Sequence, residues 1–257
     1  MMGQSGNMDV KSILESFKKG ELSADEAEKL LRMDYIDSIG DSVLFDSSRH
    51  LRTGIPEVVY AYSKKPETVL EIVRKKDSGI LLISKAKDEH LDLLEKGIPE
   101  VRIFRECGMA VKGEFPEKKK GRIGIITAGT SDVPIAMEAK LMAEAMGIEC
   151  ITFFDIGVAG LHRILEPMQK LIESHVSAIV VVAGMEGALP TVVSSLSPVP
   201  VIGVPTSTGY GYGGNGECAL MSMLQSCSPG LSVVNIDNGI GAGATAALIA
   251  GNRSDVP

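Results

Sequence analysis

From Gly121 onward the chain repeats one pattern: a short β-branched apolar run, a loop of small residues, then a helical segment. The apolar runs are 121–127, 150–156, 178–183, 199–204 and 231–236. Their apolar character is nearly continuous, as in strands covered on both faces. The segments 134–146, 161–174, 189–195, 218–226 and 242–250 are amphipathic or Ala-rich. Strands alternating with helices require right-handed crossovers and one parallel sheet. The pattern predicts a three-layer, flavodoxin-like α/β core over residues 121–251.

The first half is smaller and less regular. Residues 9–33 read as a helix pair, the first capped by Asp9. The second, 24–32, starts at Ser23 with Glu26 three residues on, the spacing of a capping box. Residues 56–106 read as a small α/β unit, with strands over 57–62, 79–84 and 101–106 and helices over 66–75 and 87–96. The polar, glycine-bounded stretch 113–120 carries Pro116 and Lys118, Lys119 and Lys120. It reads as a linker with a solvated basic run. The expected organisation is a small N-terminal helical and α/β domain (1–112), a linker (113–120) and a parallel-sheet domain (121–257). A length of 257 residues suits two such units, at roughly 100–200 residues per domain.

Composition excludes several function classes. The net charge of −7 argues against nucleic acid as a partner, since that needs a basic footprint. Aromatic residues make up 4% with no tryptophan, which is poor material for a single-strand stacking platform. No apolar run approaches the roughly 20 residues of a membrane span, and the N-terminus lacks a signal-peptide pattern. The expectation is a cytoplasmic protein with no membrane partner. Cys107, Cys150, Cys218 and Cys227 form no Cys-x-x-Cys pair and no zinc-spaced cluster. Each is either a small core residue or a reactive thiol.

In open parallel sheets, ligands bind outside the carboxyl ends of the strands. The first such loop is Gly129-Thr130-Ser131-Asp132, before Pro134. It suits an anion held at a helix N-terminus, or Ser131 and Asp132 act only as caps. The second contains Gly157, Gly160 and His162, a histidine with either a structural or a chemical role. The third, Gly184-Met185-Glu186-Gly187, sets a carboxylate between glycines, placed for proton transfer or for capping. The fourth, 205–216, is the most glycine-dense. It lacks a Gly-Lys-Ser/Thr ending, so it is no Walker loop, and it reads as a mobile substrate loop. The last strand leads into Asn235-Ile236-Asp237-Asn238-Gly239. Cys227 falls at the end of a helix, where dipole assistance to a thiolate is lacking, so residue pattern alone favours an inert thiol.

These residues resemble a known superfamily. Thr130-Ser131-Asp132, Gly160-Leu161-His162-Arg163 and Pro200-Val201-Ile202-Gly203-Val204-Pro205 are similar to motifs of the PurE-like aminoimidazole ribonucleotide (AIR) carboxylases and mutases. Gly160 stands where that superfamily has serine. The loop Gly184-Met185-Glu186-Gly187-Ala188-Leu189-Pro190 replaces its Gly-Gly-Ala-Ala-His-Leu-Pro. These departures, with Ser226-Cys227, Asn235 to Gly239 and Arg49-x-x-Arg52-x-Gly54-Ile55-Pro56-Glu57-Val58, resemble the LarB family. Its members are pyridinium-3,5-biscarboxylic acid mononucleotide synthases, which open the route to a nickel-pincer nucleotide cofactor.

The resemblance implies a reaction of nicotinic acid adenine dinucleotide with CO2. It adds a carboxylate to the pyridinium ring and cleaves the phosphoanhydride, releasing AMP. A thiol that adds to the electron-poor ring creates an enamine able to attack CO2, a covalent strategy. The resemblance implies Cys227 as that nucleophile, with Cys218 second. It makes Glu186 the proton acceptor or thiol activator, and gives Asp132 and His162 catalytic positions. Substrate contacts are expected from Gly129, Thr130, Ser131, Gly157, Gly160, Gly184, Gly187 and Asn238. Arg49, Arg52 and Lys64, with Glu57, are expected to cover the nucleotide. No tightly bound cofactor is expected, and Mg2+ would arrive with the substrate phosphates. The resemblance also implies a homo-octamer, with the Ala/Gly-rich last helix suited to close packing at the interface. Two rival readings stand beside this: a purine-biosynthetic AIR carboxylase or mutase, and a non-catalytic nucleotide-sensing module.

Overall fold

The structure is a computed structural model that describes residues 10–31, 36–39, 43–46, 53–76, 79–117 and 121–253. Asp9, Arg32, Arg49, Arg52 and Lys118 to Lys120 lie outside the described residues. The chain divides into two compact units, Met1–Glu114 and Phe115–Pro257.

In the first unit, α1 (Val10–Lys18) and α2 (Ala24–Leu31) form the expected helix pair. The capping box is present. The Ser23 N–H donates to Glu26 Oε2 at 2.8 Å, and the Glu26 N–H donates back to Ser23 Oγ at 3.2 Å. The Ser23 hydroxyl also donates to Glu26 Oε2 at 2.7 Å, and this bond, with that from the Ser23 N–H, holds the Glu26 carboxyl below its usual range. A two-stranded antiparallel ribbon follows, β1 (Ile36–Ile39) with β2 (Val43–Asp46). Then come β3 (Glu57–Tyr60), α3 (Pro66–Lys75), β4 (Leu81–Ser84), α4 (Asp88–Gly97), β5 (Arg102–Phe104) and β6 (Met109–Lys112). The sheet order is β3-β4-β6-β5. Only β3 and β4 pair in parallel. Leu81, Ile83, Val69, Val73, Leu91 and Leu94 pack into its core.

The second unit is the expected parallel α/β domain. It comprises β7 (Gly121–Thr127), α5 (Val133–Ala145), β8 (Ile148–Phe153), α6 (His162–Glu173), β9 (Ile179–Ala183), α7 (Leu189–Leu196), β10 (Val201–Pro205), α8 (Glu217–Leu224), β11 (Leu231–Val233) and α9 (Gly239–Arg253). The strand order is β11-β10-β9-β7-β8, parallel throughout. This is the flavodoxin-like order, with the chain reversing direction across the sheet between β7 and β9. Two apolar layers flank the sheet. One joins Ile123, Ile125, Val180 and Val204 to the alanines of α5 and α9. The other joins Ile126, Ile179 and Val181 to α6, α7 and α8.

The small residues of α9 are used within the chain. A Cβ on Gly239 would overlap the Ile135 carbonyl oxygen, and one on Gly243 the Ala139 carbonyl oxygen. Their absence lets α9 lie directly against α5. Among the described residues no helix is long and apolar enough to cross a membrane.

Candidate active site at the carboxyl edge

The loops that leave β7, β8, β9, β10 and β11 are tied together by polar contacts and close backbone approach. At the centre is Asp132, only 3% exposed. Its Oδ2 accepts from the Gly129 N–H at 2.9 Å and its Oδ1 from the Thr206 hydroxyl at 2.7 Å. The Gly184 N–H also donates to this carboxylate. One side chain thereby joins the loops after β7, β9 and β10. Burial pushes the Asp132 carboxyl above its usual range, and the charge of Asp237 adds to the rise. The bonds from Thr206, Gly129 and Gly184 oppose it.

Asp237 makes the next tie. Its Oδ1 accepts from the Ser207 N–H at 2.8 Å, and its own N–H donates to the Pro205 carbonyl at 2.9 Å. On the other side, a Cβ on Gly157 would stand 2.7 Å from the Ala128 carbonyl oxygen. The loop after β8 therefore lies directly on the loop after β7. Gly160 leaves room for the Arg163 side chain, whose Nη1 donates to the Asp155 carbonyl at 2.8 Å.

Glu186 stands out against this packed background. Both glycines that flank it are demanded by close approach. A Cβ on Gly184 would overlap the Thr208 carbonyl oxygen. Gly187 has φ +64° and lies 2.7 Å, by the same measure, from the Ala219 carbonyl oxygen. Met185 is fixed by its N–H donating to Thr208 O at 3.1 Å. The result is a rigid loop with Glu186 exposed at its tip.

Thr130, Ser131 and His162 are exposed at the same edge, His162 as the first residue of α6. Asn238 caps α9, its Oδ1 accepting from the Gly241 N–H at 2.8 Å. Lys64 belongs to the other unit, where its Nζ donates to the Tyr60 carbonyl at 2.8 Å.

Cys227 is placed differently. The helix α8 starts at the carboxyl edge and runs back across the sheet. Its 8 residues carry the chain about 12 Å at roughly 1.5 Å per residue. Cys227, exposed, lies three residues past that helix. The neighbouring Ser226 hydroxyl accepts from Thr191 Oγ1 of α7 at 2.9 Å. Within one chain Cys227 therefore follows α8 beside the first turn of α7, and Glu186 precedes α7. Cys218, in the first turn of α8, does lie at this edge, against Gly213. Thr206 and Asp237 were not foreseen as site residues, since nothing in the sequence marks either side chain as a tie between loops.

A model of the AIR carboxylase family matches residues 122–256, and one of the LarB/PurE-like N-terminal domain matches residues 37–113. The chain is a LarB-family member of the PurE-like superfamily. The uncharacterized protein MJ0165 of Methanocaldococcus jannaschii is 43% identical to this LarB-family chain over 256 residues, covering 94% of this chain and 97% of the relative. The N5-carboxyaminoimidazole ribonucleotide mutase of the same organism is 34% identical over 129 residues, 50% of this chain and 75% of the mutase. That of Thermotoga maritima is 34% identical over 137 residues, 51% and 75%. The mutase likeness thus reaches about half of the LarB-family chain, whereas the likeness to MJ0165 spans nearly all of it. Among the described residues no group of three His, Cys, Asp or Glu side chains is arranged to hold a metal ion.

Proposed function

We propose that this LarB-family protein carboxylates the pyridinium ring of nicotinic acid adenine dinucleotide with CO2. It also hydrolyses the phosphoanhydride, giving pyridinium-3,5-biscarboxylic acid mononucleotide and AMP. The reaction would be the first step towards a nickel-pincer nucleotide cofactor, in the cytoplasm. The observation that carries this reading is Glu186, exposed at the tip of a loop held rigid by Gly184 and Gly187.

In this reading a thiolate adds to the ring carbon next to the site of carboxylation. The ring loses its aromaticity and gains an enamine carbon, which attacks CO2 and forms the new C–C bond. Glu186 takes the proton from that carbon, and expulsion of the thiolate restores the ring. Water then cleaves the phosphoanhydride, and Mg2+ accompanies the phosphates. Thr130, Ser131 and the loop amides near them hold the ribose phosphate. Asp132 positions these loops from below.

The nucleophile in this reading is Cys227. Glu186 precedes α7 and Cys227 follows α8; in this reading the site takes Glu186 from one copy and Cys227 from a neighbouring copy in a homo-octamer. Exposed Met221 (57%) and Leu224 (64%) on α8, close to Cys227 in the chain, supply apolar surface for such a contact.

The mutase names of the relatives that match about half of this chain favour a second reading, in which the substrate is an aminoimidazole ribonucleotide. Supplying both substrates together separates the two. The first reading predicts loss of the dinucleotide alone, abolished by Cys227→Ser and by Glu186→Gln. Loss of the aminoimidazole ribonucleotide alone would establish the second.

A further inference from the structure

The first unit has a carboxyl edge of its own. β3 and β4 are adjacent and parallel, and each leads into a helix. Residues 60–65 and 84–88 therefore lie side by side where parallel strands offer their loops to a ligand.

His90 locks these loops together. It is 1% exposed. Its Nδ1 accepts from the Lys87 N–H at 3.2 Å, and its Nε2 meets the Lys64 carbonyl at 2.8 Å. An imidazole that accepts at Nδ1 donates at Nε2, so the neutral ring spends both nitrogens on the tie. Lys85 is held at φ +54°, and the next residue, Ala86, donates its N–H to Gly108 O at 2.8 Å.

On this fixed base stand two tyrosines that the unit's own core does not cover. Tyr60 is 50% exposed and Tyr62 is 60% exposed. Their ring centroids are 6.3 Å apart at 46°. The Lys87 ammonium lies 5.4 Å from the Tyr62 centroid, a cation–π contact. Lys64, Lys65 and Lys85 belong to the same two loops. Of the acidic groups beside them, Asp88 is drawn to Arg105 at 3.9 Å, and Arg105 also holds Asp92 and Glu95. Glu67 and Glu89 remain, so lysines outnumber acids along the edge.

We propose that this edge is a shelf for a purine nucleoside monophosphate, with the base on the tyrosines and the phosphate among the lysines. Exposed aromatic faces beside ammonium groups suit a flat base that carries an anion. A free phosphate would leave the rings uncovered. A polynucleotide is disfavoured by the chain's net charge of −7. The choice of adenine rests on the reading above, in which AMP is released; the shelf itself does not.

The test is titration of the full chain with AMP, followed by calorimetry. Tyr62→Ala and Lys87→Ala alter exposed side chains, and circular dichroism checks that both variants fold. The shelf predicts saturable AMP binding, weakened roughly tenfold by Tyr62→Ala and retained by Tyr62→Phe. It also predicts that Lys87→Ala weakens AMP and lessens the salt dependence, and that inorganic phosphate competes poorly. Unchanged AMP affinity in both alanine variants would overturn it, as would no AMP binding at millimolar concentration. So would competition by inorganic phosphate as strong as by AMP. Ring carboxylation is read separately, as label in the mononucleotide. Carboxylation with unchanged AMP binding in the variants removes the shelf and leaves the activity. AMP binding through these residues without carboxylation does the reverse.

Discussion

The Thr206 hydroxyl donates to Asp132 Oδ1 at 2.7 Å, joining residues 74 positions apart. Both side chains are buried. Removing the hydroxyl leaves a buried carboxylate oxygen short of a donor, which costs about 1–3 kcal/mol. Thr206→Val should lower stability by that amount in urea unfolding, and it should raise the Asp132 carboxyl further, since the bond lowers it.

The same carboxyl gives stability a pH dependence of defined sign. Burial raises its native value above that of the unfolded chain. Between the ordinary carboxylate range and the raised native value, unfolding therefore releases a proton. Its contribution should fall as pH rises through that window and level off above it. Asp132→Asn, measured by thermal or urea unfolding across this range, should flatten that slope. It should also reduce stability, because its amide faces the Gly129 and Gly184 N–H donors.

The glycines beside Glu186 should tolerate little. Gly187→Ala combines a left-handed backbone, which costs on the order of 1–3 kcal/mol, with an approach to the Ala219 carbonyl oxygen. Gly184→Ala must displace the loop after β10. Both variants should lose stability and carboxylation together. Glu186→Gln, at an exposed tip, should lose carboxylation with stability unchanged.

If each site takes Glu186 from one copy and Cys227 from another, two dead variants should rescue each other. Octamers reassembled from equal parts of Glu186→Gln and Cys227→Ser chains should have about a quarter of their sites intact. Each variant alone should be inactive. No rescue after verified mixing would mean that Glu186 and Cys227 act from one chain.

Much of the fold was legible in the sequence, for a physical reason. Strands buried on both faces write apolar residues at every position, and β7 falls on its expected span of 121–127. Strand ends were less legible, because apolar runs continue beyond the pairing. The run 150–156 outlasts β8, which begins at Ile148 and stops at Phe153, before Asp155 turns at φ +59°. The run 231–236 outlasts β11, which ends at Val233. The ribbon of β1 and β2 and the strand β6, each strand 4 residues long, are not among the expected elements, because they lack the longer apolar runs that mark β3 and β4. In the site, the loops and the exposed Glu186 could be located from strand ends. The linkage of Asp132 with Thr206 could not, because pairing across 74 residues leaves no local pattern. The contact of Ser226, next to Cys227, with Thr191 likewise spans 35 residues, and only the folded path reveals it.

The central claim is tested most directly by mass spectrometry of the small molecules. The purified full chain is incubated with nicotinic acid adenine dinucleotide, Mg2+ and 13C-labelled bicarbonate. The account predicts a dicarboxylated pyridinium mononucleotide that carries the label, with an equal amount of AMP. An intact dinucleotide beside a carboxylated aminoimidazole ribonucleotide, when that substrate is supplied instead, would contradict it.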